Sequence, residues 1–188
     1  HSLLRRGSPL EHAPELDGRT RLAQTGRMLE GKVVAISGVG PGLGRRIAAA
    51  ALRDGASVLL GARSEGRLKA LSQELDPSGQ RAAWQPIDLA QPAQCDAFAR
   101  AAVARFGRID ALVQVAAFDS LFGGVTDSDP ESWRIAFDVN FFGSMHLVKA
   151  CVPHLTSAGG GAIVFIGAQA KYWPQVMQIG NAASTAAL

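Results

Sequence analysis

The sequence predicts an α/β domain built on a doubly wound parallel sheet with helices on both faces. Three observations carry this. Near-continuous apolar runs alternate with helical stretches from Gly31 onward, a glycine-rich turn between Ser37 and Gly44 joins the first run to the first helix, and no internal repeat or low-complexity tract interrupts the pattern. Apolar runs without alternation are strands buried on both faces, and each right-handed crossover lays a helix on the sheet. The result is three layers, α/β/α.

In order, Val33 to Ser37 reads as the first strand and Leu43 to Asp54 as a helix that Gly55 stops. Ser57 to Gly61 is a second strand, and Glu65 to Leu75 a helix ended by Asp76-Pro77-Ser78-Gly79. Ala82 to Ile87 is a third strand, followed by a helix from about Pro92 to Phe106 that Gly107 terminates. Ile109 to Ala116 is a fourth strand. A loop with Gly123 and Gly124, then an Asp127-Ser128-Asp129-Pro130 cap, leads into a long helix from Glu131 to about Leu155. Ala162 to Ile166 is a fifth strand, and the expected order in the sheet is 3-2-1-4-5.

The two ends of the chain differ from this middle. Residues 1–27 carry Arg5, Arg6, Arg19, Arg21 and Arg27 among Pro, Gly and Ser without periodicity, and read as a flexible extension. Met28 stands where a natural start would suit. Asn181 to Leu188 reads as the opening of a helix with no glycine stop. A fifth strand left as an apolar sheet edge is unfavourable in water, so the expectation is a domain truncated after that strand, or a partner chain covering it.

Composition narrows the function. With 188 residues, 47% hydrophobic and 19% charged, the chain has enough material for one core. No apolar run approaches the ~20 residues of a membrane span, so no membrane association is expected. A net charge of +3 with scattered arginines argues against nucleic-acid binding. Cys95 and Cys151 sit in helical stretches without a partner motif and read as free thiols of a reducing compartment, which makes a cytoplasmic location the expectation. No metal site is expected.

The Ser37–Gly44 turn is the strongest chemical signal. Glycine adopts positive φ and lets a pyrophosphate approach without a Cβ in the way, while the following helix N-terminus offers unpaired N–H groups and a partial positive charge. A glycine cluster alone would be an ordinary turn; between a strand and a helix it reads as a nucleotide-phosphate loop. Residues 28–188 are therefore the dinucleotide-binding domain of Rossmann type.

These residues resemble the short-chain dehydrogenase/reductase family from about Leu29 to Leu188. The family's Thr-Gly-x-x-x-Gly-x-Gly matches Ser37, Gly38, Gly42 and Gly44, with Gly40 and Leu43 inside the loop. Where family members that use NAD carry an acid for the ribose 2′-hydroxyl, this chain has Ala62 followed by Arg63. An arginine without that acid can pair with a 2′-phosphate, so NADP(H) is favoured over NAD(H); a solvated arginine at a strand end is the plainer alternative. Asp88 and Leu89 stand where the family contacts adenine. For the family's Asn-Asn-Ala-Gly the chain has Gln114-Val115-Ala116-Ala117, so Ala116 keeps a cofactor position while Val115 cannot make the hydrogen bonds of the second asparagine.

The resemblance also implies a catalytic tetrad. Val139-Asn140-x-x-Gly143 matches the family's Val-Asn-x-x-Gly, which retains the tetrad asparagine at Asn140; bonding backbone where the helix bends is its equally suited structural role. Counting from Gly161-Ala162-Ile163-Val164-Phe165-Ile166-Gly167, the family's Ser falls on Ala168, its Tyr on Asn181 and its Lys on Thr185. A displaced acid, Tyr172 with Lys171, is a weaker option, and Gln169, Gln175 and Gln178 with Asn181 could bind a small-molecule ligand without proton transfer.

The expectation is thus an oxidoreductase by resemblance, with hydride transfer between NADP(H) and a carbonyl or alcohol in doubt because Ser, Tyr and Lys are replaced. A catalytically inactive or regulatory relative, a subunit of an active partner, and a non-redox enzyme such as a dehydratase or cyclase stay open. A homo- or hetero-oligomer is expected for the complete protein.

Overall fold

The computed structural model describes residues 27–119, 123–169, 172 and 179–188. The elements are β1 (Val33–Ser37), α1 (Leu43–Arg53), β2 (Ser57–Ala62), α2 (Glu65–Leu75), β3 (Ala82–Pro86) and α3 (Pro92–Phe106). They continue with β4 (Ala111–Gln114), α4 (Pro130–Phe137), a π-helical turn (Asp138–Gly143), α5 (Ser144–Ser157), β5 (Ala162–Phe165) and α6 (Ile179–Ala186). The sheet is parallel throughout, in the expected order β3-β2-β1-β4-β5.

Register explains where a ligand can go. Ser37 pairs with Gly61 on one side and Gln114 on the other, and these pair in turn with Gln85 and Phe165. This row marks the C-terminal edge of the sheet, and β1 and β4 meet at the switch point where crossovers leave for opposite faces.

Side chains alternate across the sheet and seed a core on each face. Ala35, Leu59 and Leu112 pack with Phe98, Leu147 and Cys151 of α3 and α5. Val34, Ile36, Val58 and Leu60 pack with Leu52 and Leu68 of α1 and α2. Phe98 is wholly buried, and its truncation to Ala would cost about 3–5 kcal/mol. Cys95 and Cys151 are free and buried in the first of these cores, as their helical positions suggest.

Helix ends follow the anticipated chemistry. Gly107 closes α3 in the left-handed region at φ 83°. Asp129 caps α4, its carboxylate accepting the Glu131 N–H at 3.2 Å, with Pro130 in the first turn.

Several expectations need correction. β4 is Ala111–Gln114, shorter than Ile109 to Ala116: the Val115 N–H still donates to the Ser37 carbonyl at 3.0 Å, and from Ala116 on backbone groups bond side chains instead. β3 stops at Pro86 and β5 at Phe165, each one residue early. The long helix runs from Pro130 to Ser157 but contains a π turn. By length and composition those 28 residues, with a mean hydropathy of 1.2 over their most apolar stretch, would also suit a membrane. Ala136, Leu147, Cys151 and Leu155 are instead buried within the domain.

Candidate nucleotide-binding site

The glycine loop leaves β1 by bonding its neighbour: the Gly38 and Val39 N–H groups both donate to the Gly61 carbonyl, at 2.8 and 2.9 Å. Gly38 has φ 83°, and a Cβ there would lie 2.2 Å from the Ala116 nitrogen. Only glycine lets the loop after β1 cross the loop after β4 this closely. A Cβ on Gly44 would stand 2.5 Å from the Gly38 carbonyl oxygen, so that glycine allows α1 to begin directly behind the turn. Gly42 is the N-cap and supplies no side-chain oxygen, so the first N–H groups of α1 remain open to an anion.

A cleft of about 600 Å³ opens over this loop, at the C-terminal edge of β1, β2 and β4. Gly38, Val39 and Gly40 form one side. Ala62, Arg63, Ser64 and Arg67 come from the end of β2 and the first turn of α2. Ile87, Asp88 and Leu89 follow β3, while Val115 to Asp119 follow β4 and Val139 reaches in from the π turn. Two cations thus stand on the β2 side of a glycine-floored cleft.

Of the residues expected to hold a cofactor, Gly38, Gly40, Arg63, Asp88, Leu89 and Ala116 line this cleft. Ser37 lies beneath it, wholly buried, its hydroxyl without a partner among the described residues. Gly42, Leu43 and Gly44 build the start of α1 behind the loop. Asp88 is engaged locally: its carboxylate accepts the Ala90 N–H at 3.1 Å, and its own N–H donates to the Gln94 side chain at 2.8 Å.

Asn140 sits in the π turn and is buried. Its Oδ1 accepts the Phe118 N–H at 2.6 Å, and its Nδ2 donates to the Phe118 carbonyl at 3.1 Å and to Ser184 Oγ at 2.9 Å. The side chain therefore clamps the cleft wall to α6. π turns inside helices recur at functional sites, and this one carries Asn140, the position that the family resemblance matched to the tetrad asparagine.

Of the other expected positions, Ala168, Gln169, Tyr172, Asn181 and Thr185 are not among the residues lining this cleft. Ala168 follows β5 and is half-buried, and Gln169 beside it is exposed. Asn181 and Thr185 are buried on α6, where Thr185 Oγ1 donates to the Asn181 carbonyl at 2.6 Å and Asn181 Oδ1 finds no donor among the described residues. Tyr172 is 79% exposed. Lys171, Gln175 and Gln178 lie outside the described residues, as do 1–26.

Sequence reasoning missed Ser64, Arg67, Phe118 and Asp119 as cleft residues. For Arg67 a signal was present: Arg63 and Arg67 are four residues apart across a strand-to-helix junction, which brings both to one rim.

Comparisons agree with this geometry. The oxidoreductase YxnA of Bacillus subtilis (strain 168) is 35% identical over 142 residues, which are 75% of this chain and 40% of that protein. A short-chain dehydrogenase/reductase structure from Burkholderia xenovorans superposes with a TM-score of 0.74 at 30% identity, covering 86% of this chain and 66% of that one. A short chain dehydrogenase from Shigella flexneri 2a, solved with NADP, matches in fold with a TM-score of 0.79 at 23% identity, covering 86% of this chain and 69% of that one. The chain thus spans less than half the length of the first of these relatives. The sequence model of the short chain dehydrogenase family matches residues 32–188. With its parallel sheet, its glycine loop at the switch point and a family match over residues 32–188, the chain belongs to the short chain dehydrogenase family.

Proposed function

We propose that this chain holds NADP(H) in preference to NAD(H), within an oxidoreductase-type fold whose proton-transfer residues have been replaced. The observation that carries the cofactor choice is the shared rim of Arg63 and Arg67, with Ser64 between them and Ala62 where an acid would stand. Two guanidinium groups suit a 2′-phosphate, and an absent carboxylate removes both the ribose hydroxyl acceptor and a charge that would repel phosphate.

Carbonyl reduction at Ala168, Asn181 and Thr185 is proposed to be slow or lost. A positioned acid or base supplies ~10²–10⁴-fold, and none of these side chains titrates usefully. The bonding of Thr185 to its own helix favours the same reading. A role as regulatory subunit or inactive relative follows from it; a homo- or hetero-oligomer is proposed from the family resemblance, and a cytoplasmic location from the two free cysteines. Ile135, Phe142, Met145 and Val152, exposed along the long helix, supply an apolar face for such a partner.

The test is a titration of the full-length protein with NADPH and NADH, followed by fluorescence. NADPH is expected to bind more tightly, with Arg63→Ala removing most of the difference. Failure of both nucleotides to bind would sink the nucleotide reading. Should a reductase activity be measurable, an unchanged rate in Tyr172→Phe would dismiss the displaced-acid option.

A further inference from the structure

Where the family pattern has asparagine, this chain has Gln114, and the structure assigns that side chain specific work. Gln114 ends β4, is 2% exposed and stands in the register row beside Ser37. Its Nε2 donates to the Ala116 carbonyl at 3.0 Å and to Ser144 Oγ at 2.6 Å. Ser144, wholly buried at the start of α5, donates in turn to the Asn140 carbonyl at 2.6 Å. Two residues beyond Ala116, the Asn140 side chain takes both backbone groups of Phe118. Ala116 and Phe118 both line the cleft.

We infer that Gln114 and Ser144 are positioning residues for the nucleotide site: they tie the wall that follows β4 to the π turn of the long helix. The inference rests on the nucleotide reading above. Gln114, Ser144 and Asn140 are buried, so this network holds one geometry: a member that turns away leaves another of these buried groups without a partner. Val115 has no polar side chain, and the Gln114 amide reaches over it to satisfy the Ala116 carbonyl.

The effect should be confined to one end of the ligand. Arg63 follows β2 and Ala116 follows β4, strands on opposite sides of β1, so the two walls stand about 10 Å apart. A ligand fragment that carries the adenine and the 2′-phosphate and stops at the 5′-phosphate, without the nicotinamide half, should sense Gln114 far less. The experiment compares NADPH with 2′,5′-ADP on the full-length protein and its Gln114→Met and Ser144→Ala variants. Methionine keeps the length and loses the donors; the serine change is small enough to preserve the fold where the first does not.

The expected result is NADPH binding weakened about 3- to 10-fold in both variants with 2′,5′-ADP unchanged; each variant removes two hydrogen bonds of the network, and the fold-change corresponds to about the strength of one. Faster hydrogen exchange of the Phe118 amide in the ligand-free variants would accompany it. Equal weakening of both ligands, or unchanged NADPH binding, would overturn the inference. Should the unmodified protein bind neither ligand, the nucleotide reading falls and the positioning role with it, while the Phe118 exchange rate separately reports whether the clamp holds the wall.

Discussion

The carboxylate of Asp110 accepts the backbone N–H of Val33 at 3.0 Å, joining the entrances of β4 and β1 at the end of the sheet opposite the cleft. Its other oxygen takes Arg108 at 2.7 Å and Lys32 at 3.2 Å, and Arg108 also reaches the Ala158 carbonyl. Asp110 is 8% exposed, whereas both cations are about half exposed, so the bond to Val33 matters most and the ion pairs add little. Asp110→Ala should destabilise the protein by ~1–3 kcal/mol through an unsatisfied buried N–H, read as a lower urea midpoint.

The same residue sets an acid dependence. Burial pushes its carboxyl up, but the Val33 N–H and the Arg108 and Lys32 side chains outweigh burial and hold it below its ordinary value. Asp76 behaves alike, with burial outweighed by the Ser78 hydroxyl and the Arg81 and Ala82 N–H groups. A depressed carboxyl contributes stability fully above the unfolded value of ~3.9 and loses it as pH falls through the lower folded value. The gap in urea midpoint between the native protein and Asp110→Ala should therefore narrow from neutral pH to about pH 3. A gap independent of pH would refute the assignment.

Two glycines of the loop should respond differently. Gly38→Ala meets the Ala116 backbone and takes a strained φ, so the variant should unfold at markedly lower temperature. Around Gly40 nothing lies within 4 Å of an added Cβ, yet the residue lines the cleft. Gly40→Ala should keep its melting temperature and lose nucleotide affinity. Thermal melting with a parallel NADPH titration separates the two.

Both cysteines should be inert in the folded protein. Burial, helped by Asp96 and Asp88, pushes the Cys95 thiol up to about 11. Burial and the neighbouring Cys95 push Cys151 up to about 12. Near pH ~8 neither forms the reactive thiolate, so a thiol reagent should label them only after unfolding in urea. Rapid labelling of the native protein would contradict the packing of α3 against α5.

Much of this fold was legible because strand and helix alternate cleanly and each glycine stop sits where a turn is needed, as at Gly55 and Gly107. The phosphate loop was legible for the same reason, its function being carried by backbone. What lay hidden depends on side chains meeting across long separations. Gln114 and Ser144 are 30 residues apart, and Asn140 and Ser184 are 44. No periodicity reports such pairs. The irregular path after β4 goes with them, since from Ala116 on side chains replace the ladder as partners for that backbone. The π turn left no mark on the periodicity, because six residues of Asp138–Gly143 do not disturb an apolar pattern; only the resemblance, through Asn140 bonding backbone where the helix bends, pointed to it.

That turn makes residue count part of the site. Each helical residue advances ~100° about the axis, so inserting one further position between Asp138 and Gly143 would swing all of α5 by that angle. Leu147, Cys151 and Leu155 would leave their seats against α3, Asn140 would lose Phe118, and Gly143 would no longer offer Leu89 the bare backbone on which it rests, where a Cβ would stand 2.7 Å from that side chain. Descendants of this sequence can therefore vary the letters of the long helix more freely than its length.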